Sequence, residues 1–136
     1  MSSDCIFCKM AAGELRTDLV YESPEAIAFL DKHPVARGHA LVIPRAHAPT
    51  LLELEDGSIG GLFRAVKTVT RKIRDTLHPL AFNVGWNHGA DAGQRVFHLH
   101  VHILPRYSPG GFGIQALGEG AAQVNFGELT AAIRNA

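Results

Sequence analysis

The sequence predicts an α+β domain in which an antiparallel sheet of about five strands packs against one long helix. Three short apolar runs follow one another with brief breaks between them, which is typical of antiparallel strands. A longer segment has apolar residues at helical spacing, and two further apolar runs follow it. The chain has 136 residues, of which 46% are hydrophobic. It is therefore long enough to bury one core, and we expect one domain over residues 1–136.

The first three strands are predicted at residues 19–21, 26–30 and 40–43. A turn at Ser23-Pro24 separates the first two runs, because these residue types favour turns over strand interiors. Pro34 and Gly38 break the chain before the third run, and Pro44 is expected to stop it. Short connections of this kind join neighbouring antiparallel strands, so these three are expected to form a meander.

The clearest helix is predicted over residues 57–77. Apolar residues recur there every three or four positions, as on the buried face of an amphipathic helix: Ile59, Leu62, Phe63, Val66, Val69 and Ile73. Asp56 or Ser58 could cap its start, and His78-Pro79 ends it. Two shorter helices are expected, at residues 5–12 and 126–134.

Two further strands are predicted after the long helix, at residues 80–86 and 96–104. A glycine-rich loop at residues 87–93 separates them, and Pro105 is expected to end the second. Residues 108–120 contain five glycines and are expected to form a mobile loop.

The charge balance excludes some classes of partner. Thirteen basic residues balance thirteen acidic ones, so no global positive field exists and nucleic acid is not an expected partner. The N-terminus lacks the pattern of a signal peptide, and no apolar stretch approaches the roughly 20 residues that cross a bilayer. We therefore expect a cytoplasmic protein without membrane association. In that compartment Cys5 and Cys8 are read as thiolates or metal ligands rather than as a disulfide.

Three histidines alternate with aliphatic residues in the last predicted strand: His98, His100 and His102. Side chains two apart on a strand share a face, so the three imidazoles are expected to lie in a row. His98 and His102 would be about 13 Å apart along the strand, too far for both to bind one zinc ion. One of them could bind a metal together with ligands from elsewhere. A histidine row without function on a solvent face is the alternative.

Such a row also suits chemistry on phosphorus. An imidazole with an ordinary pKa near 6.5 is largely neutral at pH 7 and needs no separate base to act as a nucleophile. Its attack on a phosphate ester gives a labile bond between imidazole and phosphorus. Flanking imidazoles would orient the nucleophile and stabilise the charge on the phosphate oxygens.

Four segments resemble the histidine triad (HIT) family of nucleotide hydrolases and transferases. Residues 98–104 match the family signature His-φ-His-φ-His-φ-φ, where φ is apolar. Residues 41–47 resemble its LVIPKxH segment, residues 83–94 its NxG…GQ segment, and residues 5–9 its CIFCKI opening. The similarity covers residues 4–107 in the right order and spacing, and it identifies the chain as a bacterial-type member with an N-terminal CxxC.

The resemblance implies the fold and the activity of the family. The fold is a HIT-like sheet that is extended across a homodimer. The activity is cleavage of the α-phosphate bond of a nucleoside phosphoramidate or a dinucleoside polyphosphate, through a covalent nucleotidyl-histidine intermediate. The substrate would be a purine nucleotide, with adenine favoured, and no organic cofactor is implied. The alternative is a nucleotide-binding regulatory module, or a zinc-stabilised scaffold, with little turnover.

The resemblance also implies roles for individual residues. His100 would be the nucleophile, flanked by His98 and His102, with His39 and Gln94 as further catalytic residues. The backbone carbonyl of His98 is expected to bind the far ring nitrogen of His100. The nucleotide is expected to contact Ile6, Phe7, Phe29, Asp31, Lys32, Leu41, Asn83, Gly93, Gln94, Arg95, His100 and His102. Plain core packing is the alternative for the two phenylalanines.

A structural zinc site is implied at the N-terminus. Relatives of the bacterial type close a tetrahedral site with ligands that match Cys5, Cys8, His47 and His98 here. A redox dithiol is the competing use of the two cysteines.

One position departs from the pattern of Hint-like members of the family. Arg95 stands where those members usually carry a serine that is thought to aid the leaving amine. A guanidinium binds phosphate in a fork. Arg95 is therefore expected to meet the additional phosphates of a dinucleoside polyphosphate.

Overall fold

A computed structural model describes residues 4–15, 17–109 and 126–136. Its elements are α1 (Ile6–Ala11), β1 (Leu19–Glu22), β2 (Ala26–Leu30), β3 (Ala40–Pro44), α2 (Asp56–Leu77), β4 (Ala81–Gly85), β5 (Val101–Arg106) and α3 (Phe126–Arg134), with 3-10 turns at Leu51–Glu53 and Ala90–Ala92. The strands form one antiparallel sheet in the order β1-β2-β3-β5-β4. The predicted fold class and the β1-β2-β3 meander are confirmed. The glycine-rich loop expected at residues 108–120 lies outside the described residues from position 110 onward.

One face of the sheet carries the main core. Residues that lie opposite each other on antiparallel strands point to the same side, and Ala28, Val42 and Val101 form such a row across β2, β3 and β5. Side chains from the two longer helices pack on this row: Leu62, Val66, Val69 and Ile73 from α2, and Leu129 and Ile133 from α3. The predicted apolar stripe of the long helix is therefore core along most of its length.

The opposite face of the sheet holds a smaller apolar cluster and one histidine of β5. Phe29, Leu41, His102 and Gly85 lie in register across β2, β3, β5 and β4. The side chain of Phe7 from α1 packs over this face, with Ile27, Phe29, Leu41 and Ile43 beneath it. An imidazole in β5 therefore lies beside an apolar surface on the face that the long helix leaves uncovered.

The last strand begins later than the sequence predicts. It was expected at residues 96–104, but β5 starts at Val101. Pro44, at the end of β3, has no N–H, and its carbonyl accepts a hydrogen bond from the His98 ring at 2.8 Å. The N–H of Leu99 donates instead to the carbonyl of Ala48 at 2.7 Å. The segment that carries His98 and His100 is thus held by side-chain and loop contacts, outside the ladder of the sheet.

The end of β5 also differs from the prediction, because Pro105 lies within the strand. The partners of β5 on β3 extend only to Ile103, so Pro105 pairs with β4 alone, opposite Phe82. Because Pro105 lies beyond the end of β3, its missing N–H removes no hydrogen bond between β5 and β3.

The long helix begins one residue earlier than expected and ends as predicted. Glu55 precedes its first residue, Asp56, and no side chain caps this end, so neither Asp56 nor Ser58 has the predicted capping role. His78 ends the helix in the left-handed region, with φ of 52°. Within residues 4–15, 17–109 and 126–136, no helix has both the length and the apolar character needed to cross a bilayer.

Candidate active site and metal centre

Two groups of polar side chains meet at the start of β5. The first consists of Cys5, Cys8, His47 and His98, and the second of Asp31, His39 and His102. In sequence, His100 lies between His98 of the first group and His102 of the second. Its ring centroid is 5.1 Å from that of His102. The fold therefore gives the three alternating histidines different neighbours, although they come from one short segment.

Four donor atoms converge in the first group, which we call the Cys/His cluster. The Sγ atoms of Cys5 and Cys8 both lie 3.4 Å from Nδ1 of His98. Nδ1 of His47 lies 3.2 Å from the Cys8 sulfur and 3.3 Å from the same His98 nitrogen. A tetrahedral zinc ion at its usual bond lengths separates two nitrogen ligands by about 3.3 Å and a nitrogen from a sulfur by about 3.6 Å. The donor set fits that geometry closely.

A hydrogen bond leaves His98 ready to bind a metal. Its Nε2–H donates to the carbonyl of Pro44, so in the neutral ring the proton is on Nε2 and Nδ1 carries a lone pair. That lone pair faces the two cysteine sulfurs. A metal-binding histidine generally has such a bond on its other ring nitrogen, because it sets the orientation of the ring and its tautomer.

Burial changes the chemistry of the inner cysteine in this cluster. Cys8 is 5% exposed, and burial, followed by the contact with Cys5, raises the pKa of its thiol to about 11. A cation bound between the sulfurs would offset this effect, because a metal binds the thiolate.

His100 has the tautomer that a nucleophile needs. Its Nδ1–H donates to the backbone carbonyl of His98 at 2.9 Å, which is the contact expected from the resemblance. The other nitrogen, Nε2, therefore carries the lone pair. Burial lowers the pKa of His100 below its ordinary value, so the ring is neutral at pH 7.

A relay of hydrogen bonds also determines the tautomer of His102. The N–H of Val35 donates to Nδ1 of His39 at 3.0 Å, so the proton of the neutral His39 ring is on Nε2. Nε2 of His39 lies 2.9 Å from Nδ1 of His102, which accepts a hydrogen bond from it. His102 therefore has its own proton on Nε2. This nitrogen is buried and has no hydrogen-bond partner within the described part of the chain.

These tautomers distinguish the two groups as possible metal sites. In the Cys/His cluster the His98 lone pair points at the other donors. In the second group, the atom of His39 that faces Asp31 and His102 carries a proton. A metal there would have to displace that proton while the Val35 N–H still occupies the other nitrogen. The second group is therefore suited to hydrogen-bond chemistry, and the Cys/His cluster to a metal.

The predicted apolar contacts of the nucleotide form a wall beside these histidines. Phe7 packs against the rings of Phe29, His98 and His100, with centroids 5.6, 5.9 and 5.2 Å away. Phe29 and Leu41 are buried in the sheet beneath it. Ile6 is half exposed beside this wall, and Lys32 is exposed after the end of β2. Core packing and a position beside the histidines therefore coexist at Phe7 and Phe29.

Asp31, a member of the second group, directly follows the end of β2. Its Oδ1 accepts the N–H of His33 at 2.9 Å, and its Oδ2 is 3.6 Å from Nε2 of His39. Its carboxylate is partly exposed. The side chain is thus held by its own turn and remains reachable by a ligand.

The side chain of Gln94 is occupied within the protein. Its amide nitrogen donates to the carbonyls of Pro49 and Val96 at 2.6 and 3.0 Å, and its oxygen accepts the N–H of Gly89 at 2.8 Å. Both amide hydrogens are used, so Gln94 has none left for a phosphate. Its position is that of a residue that holds the glycine-rich loop. Gly93 ends the 3-10 turn of that loop with φ of 99°.

Asn83 and Arg95 lie apart from the contacts described above. The Asn83 side chain accepts a hydrogen bond from Nε of Arg106 at 2.8 Å, and Asn83 pairs with Leu104, two residues beyond His102. Arg95 is exposed. These contacts do not bring the Asn83 side chain to the imidazoles, although Asn83 lies on the same face of the sheet as His102.

Sequence reasoning missed the backbone groups that orient the histidines. The carbonyl of Pro44 and the N–H of Val35 assign protons to His98 and His39. No side-chain pattern could have revealed these groups, because every residue except proline has the same N–H and every residue has the same carbonyl.

We expect the stability of the metal-free protein to fall as the pH is lowered from 6.5 towards 4. Burial lowers the pKa of His39 to about 4 and that of His102 to about 3. Below pH 6.5 the unfolded chain binds protons that the folded chain does not, so the stabilisation present above that pH is lost. The slope is up to about 1.4 kcal/mol per pH unit for each such proton. Denaturant unfolding at several pH values measures it.

A matched pair of variants assigns this slope. His39→Asn keeps an acceptor for the Val35 N–H but cannot titrate, and we expect a smaller slope for it. His33→Asn replaces an exposed histidine in the same loop, and its slope should equal that of the wild type. Equal slopes for all three proteins would contradict the assignment.

Comparison with known proteins agrees with the geometry of the site. The HIT domain family model matches residues 12–109. Protein hit of Bacillus subtilis is 45% identical over 113 residues, which cover 82% of this chain and 78% of that protein. Adenosine 5'-monophosphoramidase hnt1 of Schizosaccharomyces pombe is 42% identical over 102 residues, covering 75% and 74% of the two chains.

A solved structure shows the same fold. The crystal structure of a Zn-bound histidine triad family protein from Mycobacterium smegmatis superposes with a TM-score of 0.79 at 28% identity. The match covers 97% of this chain and 91% of that one. The family model spans well over half of the chain, and the triad lies inside the matched region. The chain therefore belongs to the HIT domain family.

Proposed function

We propose that the protein is a nucleotide hydrolase or transferase that forms a covalent nucleotidyl intermediate on His100. The observation that carries this proposal is the 2.9 Å bond from Nδ1 of His100 to the carbonyl of His98. It leaves Nε2 with a lone pair in a ring that burial keeps neutral. The substrate class is a purine nucleoside phosphoramidate or a dinucleoside polyphosphate. Adenine is favoured, because one close relative is named an adenosine 5'-monophosphoramidase.

In the proposed first step, Nε2 of His100 attacks the α-phosphorus. A bond between nitrogen and phosphorus forms, the bond from phosphorus to the leaving group breaks, and the leaving group takes the electron pair. An amine leaving group also takes up one proton from solvent. In the second step, water attacks the same phosphorus and gives up one proton to solvent. The bond from phosphorus to Nε2 breaks and its electron pair returns to the ring, which releases the nucleotide and the neutral ring. Imidazole leaves readily once it is protonated, so the intermediate is labile.

We propose that His102 donates a hydrogen bond to the reacting phosphate. Its buried Nε2–H has no partner in the described chain, and an unsatisfied buried donor costs about 1–3 kcal/mol. A phosphate oxygen would satisfy it, and the interaction would strengthen as negative charge builds up on that oxygen. The hydrogen bond from His39 already orients the His102 ring, so the ring needs little reorganisation during the reaction.

The remaining pocket residues would bind the nucleoside. The carboxylate of Asp31 is reachable from solvent and would accept hydrogen bonds from the ribose hydroxyls. The wall of Phe7, Phe29 and Leu41 would pack against the base.

Trapping the intermediate tests the proposal. The protein is mixed with adenosine 5'-phosphoramidate, quenched without acid because the bond between phosphorus and nitrogen is acid-labile, and examined by intact mass spectrometry. We expect one adenylyl group on the wild type and none on His100→Ala. A matching adduct on the variant, or an adduct that maps to another residue, would reject His100 as the nucleophile.

We further propose that the Cys/His cluster binds one structural zinc ion. The support is the 3.3 Å separation of its two ring nitrogens and the His98 lone pair aimed at the sulfurs, together with the neighbour described as Zn-bound. Four protein ligands would leave no open position, so the ion would supply no chemistry to the substrate. It would tie α1 to the segment that carries the nucleophile.

A homodimer with a continuous sheet is the third part of the proposal. Among the described residues β4 is an edge strand of the sheet, and it pairs with β5 without a register shift. The other edge, β1, has an irregularity between Leu19 and Tyr21 that disrupts pairing. The side chain of Val84 in β4 is 45% exposed, and that of Leu80, which directly precedes β4, is 69% exposed. A regular, apolar edge of this kind is suited to pairing with a second copy.

Sedimentation measures the expected assembly. We expect the wild type to sediment with twice the mass of the chain and Val84→Lys to sediment as a monomer, because a charge on the edge opposes pairing. Leu52→Lys is the matched control, since Leu52 is 80% exposed in a 3-10 turn that is not part of the sheet, and it should remain a dimer. A dimeric Val84→Lys protein would locate the interface elsewhere.

Arg95 is proposed to favour substrates with several phosphates. The bonds of Gln94 fix the backbone next to it, and its guanidinium is exposed. Arg95→Ala should lower kcat/KM for a diadenosine polyphosphate about tenfold, which corresponds to about 1.4 kcal/mol, and leave that for adenosine phosphoramidate unchanged. Lys67→Ala, an exposed cation on α2, should change neither. Equal losses on both substrates would contradict this role.

A further inference from the structure

We propose that Cys5 and Cys8 are a site of reversible oxidation, whose intrachain disulfide opens the Cys/His cluster and loosens the nucleophile. The inference rests on the metal site proposed above and adds a modification to it. A peroxide is the oxidant that it names.

The two sulfurs are close enough to bond without a change of fold. Cys5 precedes α1 and Cys8 lies in its first turn, and the backbone N–H of Cys8 donates to the Cys5 sulfur at 3.3 Å. Both Sγ atoms lie 3.4 Å from the same nitrogen of His98 and within 4.8 Å of each other. A disulfide needs about 2.05 Å between sulfurs, so a side-chain rotation at each cysteine suffices.

Access determines the order of the reaction. Cys5 is partly exposed and Cys8 is buried. The Cys5 thiolate would attack one peroxide oxygen and break the O–O bond, giving a sulfenic acid and, after protonation, one water. The Cys8 thiolate would then attack the Cys5 sulfur, form the disulfide and expel hydroxide, which becomes a second water. The two sulfurs lose two electrons, and the peroxide gains them.

The consequence reaches the active site through two residues, His98 and Phe7. A disulfide cannot serve as a pair of thiolate ligands, so the donor set is reduced to His47 and His98, and the zinc ion dissociates. The His98 ring then loses its contacts to sulfur, and the His98 carbonyl is the group that orients His100. Phe7, between the two cysteines, also packs on the His100 ring. Oxidation therefore acts on both contacts that position the nucleophile.

The experiment measures metal, disulfide and tautomer on the full-length protein. Zinc content is determined first, so that absence of the metal is recognised before any oxidant is added. Hydrogen peroxide is then added, and zinc release is followed with a chromogenic chelator while peptide mass spectrometry maps the sulfurs. We expect one zinc ion released per chain, a Cys5–Cys8 disulfide with the loss of two hydrogens, and full reversal by dithiothreitol and zinc. In the reduced protein, the ¹⁵N signals of the His100 ring should show the Nδ1–H tautomer alone. On oxidation they should show a mixture of tautomers, and reduction should restore the single tautomer.

Cys5→Asp is the matched variant. Aspartate supplies an anionic ligand for zinc but no second thiol, so zinc should stay bound at the peroxide dose that empties the wild type. If that variant does not fold, the disulfide map of the wild type decides. Zinc release without a Cys5–Cys8 disulfide, a disulfide between two chains, or an unchanged His100 spectrum in the oxidised protein would overturn the proposal. A normal nucleotidyl adduct in the reduced protein together with any of these results would leave the hydrolase function standing.

Discussion

Replacement of His100 by alanine is expected to lower kcat by at least about 10⁴-fold, because loss of a catalytic nucleophile has effects on this scale. The ring supplies the only protein atom that the proposed mechanism bonds to phosphorus. Phe29 and Leu41 remain buried in the sheet, so nucleotide binding should change much less than turnover. Single-turnover kinetics with an adenylate donor, alongside equilibrium binding of adenosine monophosphate, separates the two effects.

His78→Asn is the control for loss of an imidazole. His78 is exposed at the end of α2 in the left-handed region, which asparagine adopts readily. Its turnover should equal that of the wild type. A His100→Ala protein that retains turnover within tenfold of the wild type would exclude covalent catalysis at this residue.

The second large effect is expected on removal of a metal ligand. Cys8→Ser should reduce bound zinc from one ion per chain to none and lower the free energy of unfolding. Serine keeps the size of the side chain but supplies no thiolate. With free zinc at 1,000 times its dissociation constant, the lost contribution is about 4 kcal/mol. Metal analysis and denaturant unfolding in buffered zinc measure both quantities.

Chelation provides the control for this variant. A chelator should bring the stability of the wild type close to that of Cys8→Ser and should not change the variant further. Full zinc content in Cys8→Ser, or an equal loss of stability in both proteins on chelation, would show that Cys8 is not a ligand.

Most of the fold could be predicted from local patterns. The three strands of the meander and the long helix follow from runs of apolar residues and from the turn residues between them, which act over a few positions. The insertion of β5 between β3 and β4 could not be predicted, because it depends on contacts far apart in the chain. The start of β5 at Val101 depends likewise on the end of β3 at Pro44.

The candidate site divides in the same way. The alternation of His98, His100 and His102 was visible as a motif, and the family resemblance implied that the two cysteines share a site with His47 and His98. Gln94 matches a motif as well, yet the structure uses both of its amide hydrogens on Pro49 and Val96. A motif specifies which residue stands at a position but does not specify where its hydrogen bonds go.

The sequence by itself determined which side chains this protein has for its chemistry and their order along the chain. Only the tertiary structure decided what each histidine can do. A neutral imidazole has two ring nitrogens and one proton, and the nitrogen that carries the proton depends on the group that faces it. The carbonyls of Pro44 and His98 and the N–H of Val35 make that choice. They suit His98 to a metal, His100 to attack and His102 to donation.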